Sequence, residues 1–171
     1  LAKDVGAIVV SLDNYFLLDP PYKKYEENGK NWELPENIDW VTCKEHILLL
    51  KEGKKAMLRK INWDTLTFSE SEIGSTYSLI VVEGFLLLHD EELRNLLDLS
   101  VYVHVPDSVG LQRRMEREQT EENKKWYEED TFPEYASRRA LFEGLADLVI
   151  DGEKELIENY EIVKSKIQEI Q

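Results

Sequence analysis

The 171-residue sequence predicts an α/β fold with a mainly parallel sheet, on three observations. Four short apolar runs, Ala7–Val10, Leu79–Val82, Val101–Val105 and Leu148–Ile150, have the length of strands. Three are rich in Val and Ile with little alternation, the pattern of strands covered on both faces. Segments of helical periodicity separate them, and strand–helix alternation marks this class.

The first run stops at Ser11 and is followed by an acid, Asp13, and by Tyr15 and Phe16. Residues 17–38, rich in Pro, Tyr, Lys, Glu and Asn, read as a long surface excursion. Asp39 is placed to cap a helix carrying Ile47, Leu48, Leu49 and Leu50, and Gly53 to end it. The second run leads directly into Glu83 and Gly84. After the third, Pro106-Asp107-Ser108 opens a helix that passes through Leu111 and Met115. Residues 118–131, "EQTEENKKWYEEDT", are polar except for Trp126 and Tyr127. They read as a solvated face or as a lid beside a site. The tail from Lys154 to Ile170 sets Ile157, Tyr160, Val163, Ile167 and Ile170 at helical spacing.

The composition narrows the function classes. With 35 acidic and 21 basic residues the net charge is −14. That balance excludes a broad nucleic-acid or anionic-membrane surface, which needs a basic footprint. It leaves room for a phosphorylated small molecule held by a few arginines. Cys43 is the only cysteine, so there is no intrachain disulfide, and a cysteine-based zinc site is disfavoured. No apolar run approaches the ~20 residues of a membrane helix. The opening "LAKDVG" lacks the features of a signal peptide. The expectation is one cytoplasmic domain over residues 1–171, with a substrate-binding excursion at about 17–38 and a lid at about 118–131.

Three constellations could carry chemistry. Ligands of open α/β sheets bind beyond the carboxyl ends of the strands, where Asp13 and Glu83 lie. Either acid alone could cap a turn; the pair, with aromatics beside both, points to a site. In "NWELPENIDW", residues 31–40, Trp32 and Trp40 flank acids and a proline. This reads as a turn into a helix, or as an aromatic platform with a carboxylate for hydroxyl groups. In "LQRRMER", Arg114 and Arg117 share a helix face and could clamp phosphate oxygens, or pair with Glu116 and Glu118. His46, His89 and His104 are not spaced as metal ligands.

Taken in order, "SLDNYF", "NWELPENIDW", "LIVVEGFLLL" and "VYVHVPDSVGLQRRMER" resemble the uridine kinase-like family of P-loop kinases. "VVEGFLLL" and "FPEYASRRALFEGLADLVIDGEK" look most like the nicotinamide riboside kinases within it. The resemblance implies a three-layer P-loop kinase-like fold and ATP-dependent phosphorylation of a ribonucleoside 5′-hydroxyl. Nicotinamide riboside is the first choice of substrate, which would place the reaction in NAD synthesis. Uridine or cytidine, and a catalytically inactive binding or regulatory domain, are the alternatives. By the same resemblance Asp13 is the general base, and Tyr15 of its motif lies beside the substrate. Glu83 helps to hold Mg²⁺, Glu33 accepts ribose hydroxyls where the family mostly has Asp, and Trp32 stacks on the ring. Arg114 contacts the substrate and Arg117 the ATP phosphates. Phe68 stands where uridine kinases carry a base-contacting histidine.

The family's phosphate loop, GxxxxGK followed by Ser or Thr, does not occur in this sequence. In the fold the resemblance implies, the strand before that loop is central, between the strands at 79–82 and 101–105. Leaving several of their backbone groups unpaired would cost roughly 1–3 kcal/mol each, which exceeds ordinary stability margins. The expectation is therefore a further ~20–30 upstream residues, a strand, a phosphate loop and part of a helix. The chain alone is expected to bind ATP poorly and turn over little. Leu86–Leu88 and the C-terminal helix could support a homo-oligomer, yet both read more simply as core.

Overall fold

In the computed structural model, which describes residues 6–18, 34–74, 77–118 and 120–170, all four apolar runs are strands. The described residues form two compact units, one up to Leu96 and one from Leu97 onward.

The first unit runs β1 (Ala7–Ser11), a 3₁₀ turn (Leu12–Tyr15), a second 3₁₀ turn (Pro35–Asn37), α1 (Trp40–Lys51), β2 (Ala56–Asn62), β3 (Thr67–Ile73), β4 (Leu79–Glu83) and α2 (Glu91–Leu96). β1 and β4 pair in parallel with Ala7 opposite Leu79 and Ser11 opposite Glu83. β2 and β3 form an antiparallel hairpin, with Ala56 opposite Ile73 and Asn62 opposite Thr67. α1 starts where the sequence places it: the Asp39 carboxylate accepts from Thr42 N at 3.1 Å. Gly53 follows the helix with a left-handed φ of 68°. The core of this unit gathers Val10 and Leu12 from the β1 end, Cys43 and Ile47 from α1, and Leu86 and Leu93 after β4, all buried. Leu87 and Leu88 are buried as well, so this leucine run is core.

A close approach holds the 3₁₀ turn against the end of β4. A Cβ added to Gly84 would lie 2.4 Å from the Leu12 Cβ, and Gly84 has a φ of 155°. Only glycine leaves space there for the buried Leu12.

The second unit contains β5 (Val101–His104), α3 (Asp107–Arg117), α4 (Glu121–Trp126), a π-helical turn (Tyr127–Thr131), α5 (Phe132–Leu145), β6 (Leu148–Asp151) and α6 (Leu156–Ile170). β5 and β6 pair in parallel, Val101 with Leu148 and His104 with Asp151. Their starts are pinned together. The Asp147 carboxylate accepts from Ser100 N at 2.8 Å and from Ser100 Oγ at 2.7 Å, while Ser100 Oγ accepts from Asp147 N at 3.0 Å. In α6, Tyr160, Val163 and Ile167 are half-buried and Ile157 and Ile170 exposed.

One feature differs from the sequence reading. The β2–β3 hairpin was not expected, because both strands are too polar to show an apolar face. Within the segment at about 118–131, expected as a solvated face or a lid, residues 121–131 are helical and continue into α5. Thr120 caps α4, its Oγ1 accepting from Asn123 N at 3.1 Å. Among the described residues β4 pairs with β1 and β5 with β6.

Two outcomes follow from this packing. Gly84→Ala should destabilise the protein by roughly 1–3 kcal/mol in urea unfolding, because Leu12 has to move. The Ser100 hydrogen bonds hold the Asp147 carboxyl below its ordinary value of 3.8. Unfolding therefore takes up a proton between the folded value and 3.8, so this contribution is full above about pH 4 and is lost as pH falls through the folded value. Thermal unfolding of Asp147→Asn should show a shallower acid dependence than the unmodified chain.

Candidate active site

The parallel register of β1 and β4 delivers Glu83 and, two residues after Ser11, Asp13 to the same end of the strand pair. Asp13 sits within the 3₁₀ turn Leu12–Tyr15 and is half-buried, whereas Glu83 is exposed. Burial, and secondarily the charge of Glu83, push the Asp13 carboxyl above its ordinary value of 3.8. The second effect agrees with the two acids lying at the same end of the strand pair.

Four attachments fix the turn that carries Asp13. Leu12 is seated against Gly84. Asn14 Oδ1 accepts from Ile61 N of β2 at 3.0 Å. The Tyr15 carbonyl accepts from Asp39 N at 2.8 Å. The Tyr15 hydroxyl and His46 Nδ1 of α1 share a hydrogen bond of 3.0 Å. After the turn, Leu17 N donates to Asn37 O at 2.7 Å, and Phe16 forms a bridge with Ile38.

Beside the turn lies an aromatic group. The ring of buried Phe16 meets Trp63 edge-on at 5.6 Å between centroids and stacks with Phe85 at 6.4 Å. Trp63 follows β2, in a turn where Asn62 Oδ1 accepts from Asp64 N and Thr65 N. It is 48% exposed.

The sequence-predicted residues fare differently. Asp13 and Glu83 lie at the same end of the β1–β4 pair. Tyr15, expected beside the substrate, is turned into the core with 1% exposure, its hydroxyl engaged by His46. A side chain enclosed in this way supports the turn instead of lining the site. Trp32 and Glu33 lie outside the described residues. Arg114 and Arg117 belong to α3 of the second unit. There Arg114 Nε lies 2.5 Å from Glu118 Oε1, and its guanidinium lies 4.7 Å from the Tyr127 ring centre. Phe68 packs beneath Arg59, 5.5 Å from ring centre to guanidinium carbon, and Arg59 in turn pairs with Asp39 at 2.9 Å. Trp63 was missed; the available signal was an indole between Asn62 and Asp64 in a turn.

A divalent cation fits this donor set. Two carboxylates lie at the same end of the strand pair, and a hard cation would relieve their repulsion. No group of three or more potential ligands exists among the described residues. A cation that takes one or two carboxylates and completes its shell with water and phosphate, as Mg²⁺ does, is compatible with such a pair.

Residues 8–128 match the model of the phosphoribulokinase / uridine kinase family. The chain belongs to this family. Uridine kinase of Schizosaccharomyces pombe is 32% identical over 119 residues, covering 65% of this chain and 25% of that protein. Uridine kinase of Shewanella amazonensis is 26% identical over 181 residues, covering 99% of this chain and 85% of that one. The chain thus spans a quarter of the first relative's length. Among solved structures, a putative fructose transport system kinase from Silicibacter sp. TM1040 superposes with a TM-score of 0.65 at 18% identity, over 87% of this chain and 77% of that one. The shared α/β fold with a parallel sheet is that of P-loop kinases.

The convergence of the two acids can be measured directly. Glu83→Gln removes the like charge, so the Asp13 midpoint, followed by ¹³C NMR of the labelled carboxyl, should move down towards 3.8. An unmoved midpoint would place the two groups too far apart to share a site.

Proposed function

We propose that this protein acts in ATP-dependent phosphorylation of the 5′-hydroxyl of a ribonucleoside. One observation carries the reading: the parallel register of β1 and β4 places the half-buried Asp13 and the exposed Glu83 at the same end of the strand pair. The relatives named uridine kinase support a nucleoside as acceptor.

In this reading the Asp13 carboxylate takes the proton of the 5′-hydroxyl as its oxygen bonds to the γ-phosphorus of ATP and the bond to the ADP oxygen breaks. Burial and the neighbouring Glu83 make Asp13 a stronger base than an exposed carboxylate. Glu83 would hold Mg²⁺, in part through water, and that ion supplies charge neutralisation on the phosphates when bound. The half-exposed Trp63 would contact the base, and Phe16 with Phe85 would keep water from the side of the turn. Trp32 and Glu33 retain the proposed roles of ring stacking and ribose binding, Arg114 and Arg117 those of phosphate contacts, and residues 118–131 that of a lid. To bind phosphate, Arg114 would have to leave Glu118.

The acceptor base is open between two choices. Uridine or cytidine is supported by the names of the relatives. Nicotinamide riboside is supported by Phe68 in place of a pyrimidine-contacting histidine and by acidic surroundings. A cationic ring over Trp63 would gain about 1–2 kcal/mol by cation–π attraction once desolvated.

Two experiments test this function in the full-length protein. Turnover of uridine, cytidine and nicotinamide riboside with ATP and Mg²⁺ should show one ribonucleoside clearly preferred, and no turnover of any of them would remove the reading. Asp13→Asn should lower kcat by about 10²–10⁴-fold. In the unmodified enzyme kcat/KM should fall as pH drops through the Asp13 pKa, with a midpoint above 3.8, because the base works only when ionised.

A further inference from the structure

The Tyr15–His46 contact has no part in the chemistry above, yet it is an expensive feature of the core. Tyr15 is 1% exposed and His46 9% exposed, and their rings meet edge-on at 5.7 Å between centroids. A phenylalanine and a leucine would fill similar space without two polar groups that must find each other. Retaining a polar pair in such a place fixes a geometry more than it adds stability.

That geometry concerns Asp13. Tyr15 ends the single turn in which Asp13 lies, and it is gripped at both extremities by one element. Its backbone carbonyl is held by Asp39, the N-cap of α1, and its hydroxyl by His46, seven residues further along. Residues seven apart lie on the same helix face two turns apart. The tyrosine is thus laid along α1 and prevented from rotating. In a one-turn element, rotation of the last residue carries the others with it, and a carboxylate displaced by about 1 Å loses much of its catalytic effect.

We infer that Tyr15 and His46 are positioning residues for Asp13, coupling the catalytic turn to helix α1 through one buried hydrogen bond. The inference rests on the reading of Asp13 as base. Burial first, and then the charge of Arg59, lower the His46 pKa against the opposing effects of Glu45, Glu70 and Asp39, so the neutral imidazole is the form that meets Tyr15. Burial also raises the Tyr15 pKa, so its hydroxyl stays protonated.

The test compares the full-length protein with Tyr15→Phe, with the double variant Tyr15→Phe/His46→Leu, and with Asp13→Asn. The double variant removes both polar partners, so its thermal stability should stay near that of the unmodified protein while its function changes. In both Tyr15 variants kcat should fall roughly 10- to 100-fold with KM within about twofold. The Asp13 midpoint, read by ¹³C NMR and by the acid limb of kcat/KM, should move down as the looser turn admits water. An unchanged midpoint in both variants overturns the inference, even if kcat falls, because a smaller fraction of folded enzyme lowers kcat without moving a titration. Full activity in Asp13→Asn would remove the base assignment and this inference with it. An inactive Asp13→Asn beside Tyr15 variants with an unmoved midpoint would remove the positioning role alone.

Discussion

The parallel pairing of β1 with β4 is the constraint on which the rest of the site depends. Parallel strands end on the same side, so an acid following each is delivered to one place. With Ser11 opposite Glu83, the chain needs only two more residues to bring Asp13 there. An antiparallel pairing of the same five-residue strands would put Glu83 at the far end, roughly 16 Å away. The arrangement opposes stability, since a half-buried carboxylate beside another is held from ionising freely. The apolar pairs Ile8–Ile80, Val9–Val81 and Val10–Val82 hold the strands together in spite of it. A site that works against its own scaffold is the usual signature of function.

A pair of carboxylates is useful only if its members stay still. The turn carrying Asp13 has a single helical turn's worth of backbone and would be mobile alone. It is instead fastened to three elements of its unit: to the end of β4 through Leu12 and Gly84, to β2 through Asn14, and to α1 through both ends of Tyr15. The hairpin serves twice, since it receives Asn14 and also carries Trp63 beside Phe16. Arg59 of β2 closes the circuit by pairing with Asp39 at the start of α1.

Much of this was legible in the sequence, and the exceptions have physical causes. The four parallel strands were visible because short runs of Val and Ile with little alternation have the length of strands. The α1 cap was visible because Asp39 and Gly53 are local signals. The hairpin was not, since "AMLRKIN" and "TFSESEI" leave most of their side chains exposed and show no apolar face of period two. Tyr15 was misplaced because a motif gives the neighbour of a base but not the direction of its side chain. In a turn of this kind successive residues point to different sides, and Tyr15 faces α1. The segment after Arg117 lacked apolar periodicity, yet its N-cap Thr120 and the run of Glu and Lys after it suffice for a helix.

Membership of the phosphoribulokinase / uridine kinase family and the paired acids meet on one claim, that Asp13 receives the proton of a nucleoside hydroxyl. The most direct measurement is a crystal structure of the full-length protein with a ribonucleoside and a non-hydrolysable ATP analogue. The account predicts the 5′-oxygen within hydrogen-bond reach of the Asp13 carboxylate, about 2.6–3.2 Å, with the base against Trp63. A nucleoside bound with its 5′-oxygen directed away from Asp13 would contradict it.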